Sequence, residues 1–319
     1  MKPASIISLV IAVLLVIVGL VGCIIGQNMA KANGEYLFAE DRDGDMIQTV
    51  DLNESDISKI QLIFSNAEVN IIGRQEKSYI EFINFRENYY TVSTTNRVLS
   101  FDEIPDLKSM LKFWENGFSF KGMRYILSFR EQADESRQKV INIYLTNDKD
   151  IKIFDIKGQS LTLNISEMTT GTDYNIYSDN AVINGNVLRT SSYVNILGYD
   201  GKSASKSVAL VLDTALIKNF SVKADVLNIN ANKFRCSGDG VFSCTSGSIA
   251  LLTVSDPTSV KLDITSSGDI SINGSSVTSP YIQNGSGNSQ ADLKFDVGSA
   301  SVSIAAVSSS QNAEETNNN

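Results

Sequence analysis

From about residue 46 onward, apolar and polar residues alternate in short runs, and small polar residues break the runs. Ile60-Gln61-Leu62-Ile63-Phe64 is followed by a turn at Ser65-Asn66-Ala67 and then by Val69-Asn70-Ile71; Tyr79 to Ile83 and Tyr90 to Val92 follow. A period of two with Ile, Val, Tyr and Phe at one parity is the pattern of half-buried β-strands. It resumes at Arg124 to Phe129 and at Val140 to Leu145. One stretch departs from it. After Pro105, the residues Leu107, Met110, Leu111 and Trp114 fall at helical spacing behind Asp106 as a possible N-cap, which predicts a short helix near 106–116 that caps the core.

Beyond Ile151 a unit repeats: a small polar corner, then alternating apolar residues. Leu161-Thr162-Leu163-Asn164-Ile165, Ser192-Tyr193-Val194-Asn195-Ile196, Val208 to Leu212, Val226 to Ile229, Ser246 to Leu251, Val260 to Ile264, Ser267 to Ile272 and Gly298 to Ile304 all fit it. Spacing runs from about 10 to 20 residues without a strict period. Charged residues thin out at the same place, from 36 in positions 31–150 to 26 in positions 151–319, so the boundary is set near 150. The fold class expected is all-β, with a β-solenoid-like repeat region in which each coil buries an inward row against its neighbours. A β-sandwich is the alternative, since it produces a similar alternation; small residues at the corners and few long loops favour the solenoid. Alternation predicts that Ile270 and Ile272 point inward, opposite Ser271.

The amino-terminal 30 residues differ from all of this. Positions 3–30 carry no charge, and the apolar core runs from Ser5 to Gly26. About 20 apolar residues span a bilayer, whereas the apolar part of a cleavable signal peptide is shorter, about 7–15 residues. Length therefore predicts one uncleaved transmembrane helix, 1–30. Lys2 and the free amino group before it orient the bulk of the chain outside the cytoplasm by the positive-inside tendency, in which the acidic residues of 31–45 count little. Two other readings stay open. Leu20-Val21-Gly22-Cys23 resembles a lipobox in which Cys23 would be lipidated, and Ala30-Lys31-Ala32 resembles a cleavage site. All three export the rest of the chain. The organisation expected is thus a membrane anchor at 1–30, an acidic juxtamembrane linker at 31–45, a β region at 46–150, a β-repeat region at 151–307 and a disordered polar tail at 308–319.

Composition then narrows the chemistry. The 319 residues include no histidine, which removes serine–histidine and cysteine–histidine nucleophilic machinery and His-ligated zinc. A net charge of −9 argues against a nucleic-acid partner, because holding phosphates needs clustered Lys and Arg. Of the three cysteines, Cys23 lies in the apolar run. Cys236 and Cys244 are too far apart in sequence for a redox or zinc pair; a strand-turn-strand through Gly238-Asp239-Gly240 could join them as a disulfide, and two buried apolar thiols are the alternative. Asp41-Arg42-Asp43-Gly44-Asp45 fails as a calcium loop, since placing Gly44 at the sixth position puts Ala39 first and Val50 twelfth. The aspartates of the repeat region, among them Asp173, Asp200, Asp239 and Asp269, stand singly beside turns, where aspartate favours backbone hydrogen bonds. No catalytic residue, cofactor or metal is expected.

The strand and turn from Ile60 to Ile71, together with the Ser267 to Ile272 type of repeat, resemble the bacterial putative adhesin family, a group of exported, membrane-anchored β-repeat proteins. The resemblance covers about residues 50–305 and carries no catalytic residues. It implies an adhesin-like binding or structural role at the cell envelope, with a cell-wall or surface ligand or another envelope protein as partner. An accessory of an envelope-stress system is the competing role, and a polysaccharide-active enzyme a distant third.

Overall fold

The computed structural model describes residues 47–52, 56–85, 90–103, 137–147, 149–168, 171–254, 256–286 and 291–307. The expected membrane anchor with Cys23, the acidic linker, the helix near 106–116 and the polar tail lie outside the described residues. Among the described residues the regular elements are strands and one short 3-10 turn at Pro257–Ser259, and no helix is long and apolar enough to cross a membrane.

The long strands explain the fold. In β7 (Ile153–Ser166) the inward residues are Phe154, Ile156 and Gly158, then Leu161, Leu163 and Ile165. Parity slips by one at Gln159-Ser160, and both of those side chains are exposed. The same slip occurs at Ser65-Asn66 in β2 (Lys59–Ile72), and between Ala224 and Leu227 in β11 (Asn219–Cys236). A flat strand keeps strict alternation, because successive side chains point to opposite faces. One extra residue turned outward lets the chain round a corner while the core stays on the inner side.

Pairing shows the same corner. β7 runs parallel to β8 (Asp173–Arg189) from Ile153↔Asp173 to Ile165↔Gly185, and the ladder skips the corner between Gly158↔Ser178 and Ser160↔Asn180. The offset is 20 residues (173 − 153). It recurs between β11 and β12 (Asp239–Thr253), where Phe220 pairs with Gly240 and 240 − 220 is again 20. Between β8 and β10 (Ser205–Ile217) it grows to 27 (207 − 180), because seven residues, 198–204, are inserted after β9 (Tyr193–Leu197).

β2, β7, β8, β11 and β12 therefore each belong to two ladders. The first ladder runs β5 (Val98–Glu103), β2, β7, β8, β9, β11, β12, β17 (Asp292–Val297) and β13 (Lys261–Thr265), all parallel. The second runs β6 (Val140–Tyr144), β2, β7, β8, β10, β11, β12, β18 (Ser301–Ala306) and β14 (Ile270–Ile272), also parallel. β2 and β7 pair from Lys59↔Ile153 to Ile72↔Ser166, so strands on the two sides of residue 150 share one continuous ladder.

At both ends the order departs from sequence order and direction reverses. β2 lies inside β5 and β6, which follow it in the chain; β17 and β18 lie inside β13 and β14, which precede them. Beyond these come antiparallel strands. β4 (Tyr90–Thr95) covers β5, and β3 (Tyr79–Ile83) covers β6 with β1 (Ile47–Asp51) on β3. β16 (Tyr281–Gln283) covers β13, and β15 (Ser275–Val277) covers β14. An antiparallel edge strand breaks the parallel repeat that another chain would need to extend the stack.

The core lies between the ladders and is largely apolar, with a few buried polar side chains such as Ser178, Ser205 and Thr253. Ile60, Phe154, Tyr174, Val194 and Phe220 form one inward column, and Val69, Leu163, Ile183, Leu210, Ile229, Ile249 and Val302 form another. Aromatic rings stack along the axis, as in Phe242–Phe295 at 4.4 Å and Phe82–Phe101 at 4.5 Å between centroids. Ile270 and Ile272 are both buried and Ser271 is half-exposed, as alternation predicts.

Candidate functional site

With the inner faces filled, chemistry is left to the outward positions, and parallel pairing places like positions of neighbouring strands side by side. On the second ladder this produces a row of asparagines: Asn142, Asn70, Asn164 and Asn184 stand in one register line. Asn70 Nδ2 donates to Asn142 Oδ1 at 2.9 Å, Asn164 Nδ2 to Asn70 Oδ1 at 2.8 Å, and Asn184 Nδ2 to Asn164 Oδ1 at 2.9 Å. Asn164 Nδ2 also donates to Glu68 Oε1 at 3.0 Å, and Asn142 Nδ2 to Glu81 Oε2 at 3.2 Å. The amides thus satisfy one another and two carboxylates, so this row binds coil to coil. Asn164→Leu should cost about 1–2 kcal/mol, because it strands the hydrogen-bonding groups of Asn70, Asn184 and Glu68 at once; urea denaturation followed by circular dichroism measures it.

The first ladder carries a different surface. Gln61, Asp155, Asn175 and Asn195 form one outward line across β2, β7, β8 and β9, and Ile63, Lys157, Tyr177 and Leu197 form the next. Lys59 Nζ sits 2.8 Å from Asp155 Oδ2. Asn175 Nδ2 donates to the hydroxyl of Tyr193 at 3.2 Å, which draws that phenol over the line. Burial first, and then the Asp155 carboxylate and Tyr193, raise the Tyr177 phenol above its ordinary pKa, so it remains protonated as a donor.

A loop walls this surface on one side. The residues inserted after β9 form a tight turn, with Gly198 N–H donating to Ser203 O at 2.9 Å and Gly201 N–H to Gly198 O at 2.8 Å. Gly201 has φ +74°, a backbone conformation that glycine adopts freely. A side chain there would begin 3.6 Å from the Tyr177 ring, so the loop backbone lies close beside that ring. Asp200 fastens the turn: its carboxylate accepts from the N–H of Lys202 and Ser203, each at 2.8 Å, and from the Ser203 hydroxyl at 2.6 Å. These hydrogen bonds pull its pKa down to about 2. Asp179 Oδ1 accepts from Tyr199 N–H at 3.3 Å, and the Lys157 ammonium stands 4.7 Å from the centre of the Tyr199 ring. Asp173 accepts from the N–H of Ser192 and Tyr193 at 2.6 and 3.1 Å and so fixes the entry to β9. Three tyrosines, Tyr177, Tyr193 and Tyr199, are thereby gathered around a paired cation and carboxylate and two amides on one outer face.

Of the two readings of Cys236 and Cys244, the thiols and not the disulfide are what the structure has. Cys236 and Cys244 are both free thiols. A disulfide needed a hairpin between them, but β11 and β12 run parallel, so the turn after Cys236 leads into a parallel neighbour. Cys244 pairs with Ala224 while Cys236 pairs with Ile217. Cys236 Sγ lies 3.3 Å from Lys218 O; burial raises its pKa and pushes that of Cys244 up to about 11. Among the described residues no three His, Cys, Asp or Glu side chains group as a metal site, and Asp173 and Asp200 spend their carboxylates on backbone N–H groups.

The tyrosine surface is absent from the expectations drawn from the sequence. Its trace there is spacing: Asn175 and Asn195, like Asn164 and Asn184, lie 20 residues apart, the offset of one coil (195 − 175; 184 − 164).

No family model and no curated protein matches the chain. Solved structures do align with it. A putative cell adhesion protein from Clostridium sporogenes is 15% identical, covering 83% of this chain and 100% of its own, with a TM-score of 0.32. A putative adhesin from Bacteroides fragilis is 11% identical, covering 83% and 98%, with a TM-score of 0.33. A putative adhesin from Parabacteroides distasonis is 11% identical, covering 82% and 97%, with a TM-score of 0.35.

Proposed function

We propose that this chain is a non-catalytic, adhesin-like binding or structural protein of the bacterial cell envelope, anchored by its amino-terminal segment and exposing a β-solenoid outside the membrane. The observation that carries the reading is the outward tyrosine surface on the first ladder. It presents aromatic faces and hydrogen-bonding groups on a rigid parallel scaffold, which is the make-up of a recognition surface. The solenoid reading, over the sandwich, is supported by β2, β7, β8, β11 and β12, which each serve both ladders in parallel pairings, whereas a sandwich divides whole strands between two antiparallel sheets. The uncharged run 3–30, long enough to span a bilayer, supports the anchor, and Lys2 before it supports the orientation.

The experiment is fractionation with protease access. The full chain should sediment with membranes, and protease added to intact cells should digest the part beyond residue 46. Digestion only after lysis would reverse the topology. Incorporation of radiolabelled palmitate, lost in Cys23→Ala, would replace the spanning helix by a lipid anchor and leave the exposure unchanged.

A further inference from the structure

We infer that the surface formed by Tyr177, Tyr193 and Tyr199 with Lys59, Asp155 and Asn175 is a docking site for an uncharged, linear glycan. The inference rests on the binding role proposed above and names the ligand class of that same surface.

The argument begins with the shape. The hydrogen-bonding line Gln61–Asp155–Asn175–Asn195 crosses four neighbouring strands. Three strand spacings of about 4.8 Å make a row of about 14 Å. A row that repeats a polar group at every strand matches a polymer that repeats hydroxyl groups along its length. It suits a compact solute less, since such a ligand needs an enclosing pocket.

Chemistry points the same way. A sugar ring has an apolar face of C–H bonds and a rim of hydroxyls. Tyrosine answers both, because its ring face carries the negative lobe of the quadrupole and its phenol adds a polar tip. Tyr177 and Tyr193 flank the row from β8 and β9, and the Tyr177 phenol keeps its proton, so it can donate. An amide both donates and accepts, and a carboxylate accepts two donors, which suits hydroxyls that must do both. Among the described residues, Lys59 is paired with Asp155, Lys157 with the face of Tyr199, and Lys206 beside the loop with Asp179. A site for a phosphate or carboxylate polymer would present cations without such partners. The loop at 198–204 lies against Tyr177 on one side, and the row itself runs along the stacking axis, the direction a chain would follow.

The asparagine row of the second ladder does not compete, because its amides are spent on each other and on Glu68 and Glu81.

The test uses the full-length chain in detergent micelles and isothermal titration with cellohexaose, chitohexaose and, as a charged probe, a hyaluronan hexasaccharide. At least one neutral hexamer should bind more tightly than the charged one. The Y177A/Y193A double variant should lose about tenfold or more in affinity, as expected when aromatic anchors are removed. Y193F, which keeps the ring, should lose less. Tyr144→Ala, on the second ladder, should bind as the parent does. Circular dichroism of every variant should match the parent; if the double variant is misfolded, Y177A and Y193A are read singly. Failure of both neutral hexamers, preference for the charged one, or undiminished binding by the double variant overturns the glycan assignment. A surface that recognises a protein instead would give the first of these results and leave protease access on cells unchanged, so the two readings fail separately.

Discussion

Phe242→Asp should abolish cooperative folding of the described unit, whereas Ser243→Asp, one residue along β12, should be nearly silent. Phe242 is fully buried, and its ring lies 5.1 Å from Phe220 and 4.4 Å from Phe295, the aromatic residues of the coils on either side. Truncating a buried phenylalanine costs about 3–5 kcal/mol. Aspartate adds an unpaired charge in an apolar stack, at several kcal/mol more. The sum reaches the whole stability of a typical domain, about 5–15 kcal/mol. Ser243 points outward in register between Lys223 and Asp296. A carboxylate there gains one neighbour and is opposed by the other, so the net change should stay within about 0.5 kcal/mol. Limited proteolysis and far-ultraviolet circular dichroism of the two variants decide the matter; equal behaviour would mean that the inward parity of β12 is wrong.

Gly247→Ala should be the most damaging single-methyl change, at about 3 kcal/mol or more, and here the backbone is the cause. Gly247 has φ +136°, a region that other residues rarely adopt. A Cβ at this position would also overlap the carbonyl oxygen of Leu227, its register partner in β11, and prise the two coils apart. Gly274 is the control. It too has a positive φ, +78°, but nothing lies within 4 Å of where its Cβ would be. Gly274→Ala should therefore cost only about 1–2 kcal/mol, the conformational part alone. Urea midpoints of the two variants measure the difference, and a Gly247→Ala midpoint at or above that of Gly274→Ala would refute the close approach of β11 and β12.

Much of the local structure was legible along the chain. Alternation marks the inward rows, and the slip of parity at Gly158-Gln159-Ser160 marks a corner, because both signals are set by near neighbours. What pairs with what was not legible. β2 and β7 are joined across residue 150 although charge and composition change there, since surface composition says little about which strand edges meet. Asp155, Asn175 and Tyr193 come together only because successive coils stack in one register. Cys236 and Cys244 looked bridgeable for the same reason: the turn between them gives no sign of whether the next strand doubles back or runs on.

The exchanged order at the carboxy-terminal end constrains how the protein is made. A chain synthesised or threaded through a membrane from its amino terminus produces β13 and β14 before β17 and β18. Yet β17 and β18 must lie between those strands and β12. Until residues 292–306 arrive, β12 offers a bare parallel edge, and β13 could pair with it in a layer it does not occupy at the end. The parallel ladders can grow strand by strand as far as β12, but the last strands close only as a set, with the final ones sliding into a slot that earlier ones have bounded. The nascent protein is thus dependent on its own last strands, and a product cut short before residue 292 would leave an open, adhesive edge where the finished molecule has a sealed one.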